Sequence, residues 1–257
     1  MNRNNILKTI LCMNKPLSII RMPSAGQTPY NVIAIMNESK LVAEAQGKAI
    51  VSALISLLPK FCNHWNMRPV SAVYYPRNTV SPIPLKCYIY DTTEAEAALG
   101  YKDEINDVPY TKVFVKKILE NSGAVLAGGG PTVSQRISHE VFEMLVDLRV
   151  NSWWSDYSGA TLYAAEVCDP VESNVVSVHV GSTLVQLSDW VLPAWSDPQA
   201  TKGPYNHLNT LTNPMSVDKE GYIITQTNGI TNTVTGCKIS SYTLATMCSR
   251  SIKRTKK

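Results

Sequence analysis

The stretch from Gly128 to Val171 reads GGGPTVSQRISHEVFEMLVDLRVNSWWSDYSGATLYAAEVCDPV, and it decides the fold. Its centre, from Ser138 to Asp147, predicts a helix. Each helical residue advances about 100° around the axis, so the polar side chains fall in one stripe. Measured from His139, that stripe holds Glu143, Arg136, Asp147 and Glu140 at roughly 40°, 60°, 80° and 100°. The remaining surface is apolar, which predicts a buried helix.

A buried stripe with one imidazole and three carboxylates predicts a bound cation, because buried like charges are costly unless something neutralises them. His139 and Glu143, four residues apart, can both reach one metal ion, and Glu140 lies beside them. A third ligand should come from downstream, where AAEVCD supplies Glu166 with Asp169 close behind. Two carboxylates and one imidazole would leave a zinc ion with an open position for water. Glu140 would then be the base that activates this water.

Several motifs of the chain also resemble those of a known family. HEVFEMLVD, NSWWSD and AEVCD follow one another as in the variant zincin pattern H-E-x-x-E-x-x-x-D…W…E-x-x-D. This pattern is found in a group of zinc metallopeptidases and in their bacteriophage relatives. Four further segments resemble the phage relatives, namely AALGYKDE (97–104), VPYTKVFV (108–115), LSDWVLPAW (187–195) and EGYII (220–224). The likeness therefore covers roughly residues 70–226.

The resemblance implies roles for four residues. His139, Glu143 and Glu166 match metal-ligand positions, and Glu140 matches the catalytic base. The choice of Glu166 over Asp169 as third ligand rests on this likeness alone. Apart from the resemblance, Asp147 could either cap a turn or orient a ligand, and we expect the second role. Asp169 is likewise expected to hold a ligand in place through a hydrogen bond.

The chain departs from the family pattern at two positions. Leu148 follows Asp147 where a proline is usual, which concerns local geometry. Lys102 stands where the relatives tend to have histidine. That replacement removes a group on the substrate side and weakens the expectation of catalysis more than that of the fold.

Composition excludes several other classes of protein. Of the 257 residues, 44% are hydrophobic and 17% charged, as is ordinary for a globular chain, and the net charge is +4. Much of the positive charge lies from Arg250 onward, so nucleic-acid recognition is not expected to be the main task. The six cysteines contain no C-x-x-C pair and predict reduced thiols. Neither a signal peptide nor a membrane span is expected. The resemblance to phage proteins implies a location in the virion or the host cytoplasm.

The pattern along the chain predicts an α+β, zincin-like fold with a mixed sheet, a long backing helix and the metal helix. We expect an arm at 1–27, a zincin-like domain at 28–172, a β-rich part at 173–240 that completes it, and a basic tail at 241–257. The predicted elements are strands at 31–36, 70–75 and 86–90, a helix at 38–62 that Pro59 ends or kinks, a turn-rich stretch at 91–109, a strand or short helix at 113–120, and hairpins at 175–187 and 221–239.

Two functions from different classes remain open. The first is a zinc metallopeptidase that acts on a protein or peptide substrate. The second is a non-catalytic virion protein associated with capsid, neck or tail, whose metal site is structural or vestigial and whose arm and tail contact other virion proteins. A third interpretation of His139 needs no metal, because a core histidine can be satisfied by a neighbouring carboxylate.

Overall fold

The computed structural model describes residues 18–19, 30–92 and 99–237, with backbone alone for 18–19. The basic tail and the rest of the predicted arm lie outside these residues. The described part is α+β. Its helices are α1 (Glu44–His64), α2 (Val115–Glu120) and α3 (Val133–Val146). Its strands are β1 (Ser18–Ile19), β2 (Val32–Asn37), β3 (Ser71–Tyr75), β4 (Lys86–Tyr90), β5 (Gly100–Ile105), β6 (Val108–Phe114), β7 (Ser152–Ser155), β8 (Thr161–Ala164), β9 (Val175–Val180), β10 (Thr183–Ser188), β11 (Tyr222–Thr227) and β12 (Ile230–Thr235).

The main sheet is mixed, with the strand order β3-β2-β4-β6-β5. Strands β3, β2, β4 and β6 run parallel, and β5 pairs with β6 in the antiparallel direction at the edge. Helix α1 packs against β2 and β3 on this sheet. A mixed sheet is therefore confirmed.

Helix α3 lies between the main sheet and the antiparallel hairpin of β9 and β10. A second sheet has the order β1-β7-β8-β11-β12, and four of its strands, β7, β8, β11 and β12, follow α3 in the chain. One continuous buried core joins these layers, from Ile33 in β2 through Phe142 in α3 to Trp190 and Ile223. Because α3 is covered on both sides, every residue from Val133 to Leu145 is buried.

Helix α1 starts later than the sequence predicts, at Glu44 and not at 38. The Asp91 carboxylate explains the delay, since it accepts hydrogen bonds from the backbone N–H of Lys40 and Leu41 and from the Ser39 hydroxyl. These bonds hold the segment before the helix in a non-helical conformation. The Gln46 side chain then accepts from the backbone N–H of Ala43 at 3.0 Å, which caps the first turn.

Pro59 does not end α1, which continues to His64. Proline removes the hydrogen bond to the carbonyl four residues earlier, here that of Ile55. Ile55 and Pro59 both lie on the exposed side of the helix, where water can bind that carbonyl. The cost is therefore small enough for the buried face, which includes Leu58 and Phe61, to keep the helix intact.

The acidic stretch at 91–109 contains a strand that the sequence does not predict. Gly100–Ile105 forms β5, and β6 already begins at Val108. Charged residues hide this strand from pattern analysis because it lies at the sheet edge, where one side faces water. By contrast, β4 and the two predicted hairpins, β9 with β10 and β11 with β12, are confirmed.

Candidate metal centre

The site is built on α3, which begins at a capping threonine. The Thr132 hydroxyl accepts a hydrogen bond of 3.0 Å from the backbone N–H of Gln135. His139, Glu140 and Glu143 follow on the helix, and each is fully buried. Their charges are therefore removed from water and have to be balanced by protein groups, protons or a bound ion.

His139 is surrounded by three carboxylates. Its Nε2 atom lies 3.0 Å from Glu143 Oε1, one helical turn onward, and 3.3 Å from Asp169 Oδ1. Its Nδ1 atom lies 3.3 Å from Glu172 Oε2. Asp169 belongs to a short 3-10 turn, Asp169–Val171, and Glu172 follows directly. One imidazole thus connects α3 to this turn.

Arg136 fixes the carboxylate on the Nδ1 side of the ring. Its guanidinium forms a buried ion pair with Glu172, and the Gln135 side chain donates a 2.9 Å hydrogen bond to the Glu172 carbonyl. The carboxylate held in this way lies 3.3 Å from Nδ1 and packs against this side of the imidazole, without the geometry of a hydrogen bond. The Nε2 atom is then directed towards Glu143 and Asp169.

Two overlapping groups of side chains could hold a metal ion, and both contain His139. One adds Glu143 and Cys168, and the other adds Asp169 and Glu172; within each group the donor atoms lie within 4.8 Å of one another. Cys168 is buried, and its backbone N–H lies 3.3 Å from Glu143 Oε1. Burial, and next the charge of Glu143, raise the pKa of the Cys168 thiol well above its usual range.

Glu166 and Asp147 form a separate charged cluster with Lys102. The Lys102 ammonium lies 2.6 Å from Glu166 Oε2 and 3.1 Å from Asp147 Oδ2. Asp147 also accepts from the backbone N–H of Ser152, at 3.2 Å from each carboxylate oxygen. Neither metal-donor group among the described residues contains Glu166. Asp169, expected behind the ligands, is the carboxylate that contacts His139.

Glu140 faces the main sheet. Its Oε1 atom lies 3.9 Å from Arg136 Nη1, and a Cβ atom added to Gly100 in β5 would come within 2.7 Å of it. The Glu140 charge also contributes to the raised pKa of Cys87 in β4, which reaches about 12 mainly through burial. Neither metal-donor group contains Glu140. Arg136 therefore lies between Glu140 on one side and Glu172 on the other.

Formal charge in this region is strongly negative. Six carboxyl groups and two basic side chains are buried here, namely Glu140, Glu143, Asp147, Glu166, Asp169 and Glu172 with Lys102 and Arg136. Protonation of His139 would leave the carboxylates in the majority. In a low-dielectric interior such an excess demands added protons or a metal ion.

Sequence analysis missed Cys168 and Glu172 as parts of this site. Glu172 follows Asp169 by three residues, a spacing that a 3-10 turn brings to one side. The tryptophans near the site are core residues: Trp153, Trp154, Trp190 and Trp195 are at most 2% exposed and do not line an open cleft.

Comparisons with protein-family models, with curated proteins and with solved structures found no match to this chain. In the part of the chain that the structure describes, no helix has the length and apolar character to cross a membrane.

Proposed function

We propose that this protein binds one zinc ion at His139 and uses it to tie α3 to the segment that ends at Glu172. The observation that carries the proposal is the environment of the imidazole, which has Glu143, Asp169 and Cys168 on one side and Glu172 on the other. His139 Nε2, Glu143 and Cys168 are the proposed ligands. Asp169 Oδ1, 3.3 Å from Nε2, is the fourth donor within reach.

Donor chemistry supports zinc over the harder divalent ions. Imidazole nitrogen, carboxylate oxygen and thiolate sulfur are the usual zinc donors, whereas magnesium and calcium take oxygen ligands. A divalent cation would also offset part of the buried negative charge. Glu172 and Arg136 would set the orientation of the imidazole, as carboxylates behind metal-bound histidines commonly do.

Burial favours a structural over a catalytic role for the metal. His139, Glu143, Cys168 and Asp169 are each at most 1% exposed. Catalytic zinc keeps a position open to water and substrate, whereas structural zinc is enclosed by four protein donors. The proposal therefore follows the second of the two functions above, a non-catalytic protein with a structural metal site. Its assignment to a bacteriophage particle rests on the motif resemblance alone.

A zinc metallopeptidase is the second candidate, and the order of elements supports it. A strand, a long helix, further strands and then the metal helix is the order expected of a zincin, and β5 lies at the sheet edge beside Glu140. A bound zinc would supply Lewis acidity and an activated water. The residue that distinguishes the two functions is Glu140, since a general base is essential only to the peptidase.

Zinc content of the purified protein tests the proposal. After dialysis against metal-free buffer, the wild type should retain close to one equivalent, and His139→Ala should retain almost none. His179→Ala is the matched control, because His179 is exposed on β9, and it should keep its zinc. His139→Gln, closer in size to histidine, serves as a second variant, with circular dichroism as the check on folding. A wild type that takes up no zinc, or a folded His139 variant that keeps it, would overturn the proposal.

A further inference from the structure

The outer face of the main sheet presents tyrosines and lysines in alternation. In β4 and β6, Cys87, Ile89, Thr111 and Val113 are fully buried and face the core. Their neighbours point to the opposite face, because successive side chains of a strand alternate. These neighbours are Lys86, Tyr88, Tyr90, Tyr110 and Lys112, and all are half-buried.

The pairing of β4 with β6 arranges these side chains as a checkerboard. Lys86 is the register partner of Tyr110, and Tyr88 is the partner of Lys112. The ring centroids of Tyr88 and Tyr110 are 6.3 Å apart. The Lys112 ammonium lies 5.5 Å from the Tyr110 ring centroid and 5.8 Å from that of Tyr90. Positive charge is therefore placed among aromatic faces.

A groove of about 480 Å³ runs over this face. Among the described residues that line it, the charged ones are Lys86 and Lys112, and Pro84 and Pro109 form part of its apolar wall. Two carboxylates lie near the groove and both accept from backbone N–H groups. Glu38 accepts from Asn78 at 3.3 Å and Asp103 from Glu104 at 2.9 Å. The described residues that line the groove therefore offer a ligand two lysines, aromatic and apolar side chains, and no carboxylate.

We propose that this face binds single-stranded nucleic acid without sequence preference. Bases stack on Tyr88 and Tyr110, and phosphates contact Lys86 and Lys112. Aromatic rings interleaved with lysines on a sheet surface form such stacking platforms, since every base has a face that can stack. Paired bases in a duplex are already stacked on each other, which restricts the ligand to unpaired strands.

Chain order explains why sequence analysis did not predict this surface. Lys86 and Tyr88 belong to one strand, and Tyr110 and Lys112 to another more than twenty residues later. Each segment alone contains too little positive charge to form a basic stripe. Only the parallel pairing of β4 with β6 brings the four side chains together.

Binding of dye-labelled 12-nucleotide oligo(dT) and oligo(rU), measured by fluorescence anisotropy on the full chain, tests the proposal. Tyr88→Leu/Tyr110→Leu should weaken binding at least about 10-fold, because stacking contributes strongly per base. Tyr88→Phe/Tyr110→Phe keeps the rings and should bind like the wild type. Binding of either oligonucleotide supports the proposal, and a difference in affinity shows which of the two polymers this face binds more tightly.

Charge is tested separately through the salt dependence. Lys86→Gln/Lys112→Gln should lower the slope of log K against log salt by about 1.4, since each phosphate contact on a single strand contributes about 0.7. Lys48→Gln/Lys116→Gln removes two exposed lysines from the helices and should leave the slope closer to the wild type. The basic residues from Arg250 onward are present in every variant, so their contribution cancels. Unchanged binding in the Leu and Gln double variants, or a groove that takes a proline-rich peptide and no oligonucleotide, would overturn the proposal.

Discussion

The Lys102 ammonium lies 2.6 Å from Glu166 Oε2 inside the protein, and both side chains are 6% exposed. This contact assigns Glu166 a partner from β5 and separates it from the metal-donor groups around His139. Asp147, at 3.1 Å from the same ammonium, completes the cluster. A lysine at position 102 therefore supplies a basic side chain to two buried carboxyl groups.

Lys102→Met should destabilise the protein by about 3–5 kcal/mol, because removing one partner of a buried ion pair leaves an uncompensated charge. Urea denaturation measures the change. Lys48→Met is the control, since the Lys48–Glu44 pair is about 60% exposed and such a pair contributes at most about 1 kcal/mol. Adding Glu166→Gln to Lys102→Met should recover part of the loss. A change below about 1 kcal/mol in the single variant would contradict the ion-pair account.

Measured zinc affinities should distinguish the proposed ligand Glu143 from Glu172, which contacts the other side of the imidazole. Glu143→Gln should weaken zinc binding more strongly than Glu172→Gln, whose supporting position predicts a loss of about 10–100-fold. Competition with a chromophoric chelator measures both constants. Glu166→Gln serves as the comparison and should keep the wild-type affinity while lowering stability. Zinc loss in Glu166→Gln with retention in Glu143→Gln would return Glu166 to the ligand set.

Gly100 is required by the packing of Glu140 against β5. A Cβ atom at position 100 would lie 2.7 Å from Glu140 Oε1 and 3.0 Å from the Lys112 carbonyl oxygen. Gly100→Ala should therefore cost about 1–3 kcal/mol in unfolding free energy. Gly129→Ala is the matched control, since an added Cβ there meets nothing within 4 Å. If the two variants unfolded at the same denaturant concentration, the close approach of Glu140 to β5 would be wrong.

The raised pKa of the Asp189 carboxyl group predicts that the free energy of unfolding depends on pH. Burial raises its pKa to about 6, against the opposing effects of hydrogen bonds from Asn206 and from the backbone N–H of Trp190 and Leu208. Because the carboxyl pKa is higher in the folded protein than in the unfolded chain, the free energy of unfolding is greatest at pH values below the unfolded-state pKa. It falls as the pH rises to about 6. The stability of the wild type relative to Asp189→Asn should thus decrease between about pH 4 and 6, by up to about 3 kcal/mol. A relative stability that is constant or rises over this interval would refute the assignment.

Glu140→Gln distinguishes the two proposed functions. The substitution keeps the size of the side chain and removes the proton acceptor. In a peptidase, chelator-sensitive cleavage of an unfolded protein substrate should fall by roughly 10²–10⁴-fold. In a structural zinc protein, the wild type cleaves nothing, and the same variant changes thermal stability alone. Metal-dependent cleavage by the wild type that Glu140→Gln abolishes would favour the peptidase.

Elements with a clear local signal could be predicted from sequence. The alternation and the turn residues at Gly181-Ser182 and Asn228-Gly229 predict the two hairpins, and the burial of α3 follows from its apolar circumference. Strand β5 could not be predicted, since its charged residues are explained only by its place at the sheet edge and by the buried partners of Lys102.

In the candidate metal site too, only the part with a local sequence signal could be predicted. His139 and Glu143 are brought together by helical periodicity, which is local. Glu166 and Asp169 both follow β8, and the bend of the chain between them decides which carboxylate reaches the imidazole. In the metal-free protein, burial and next the charge of Glu143 raise the pKa of the Cys168 thiol. A bound cation would reverse that effect.

X-ray absorption at the zinc edge tests the central claim most directly. The account predicts one sulfur neighbour at about 2.3 Å, from Cys168, together with nitrogen and oxygen neighbours at about 2.0–2.2 Å. Cys168→Ser should remove the sulfur signal, and His179→Ala should leave the spectrum unchanged. A protein that holds no zinc, or a zinc spectrum without sulfur in the wild type, would contradict the proposed ligand set.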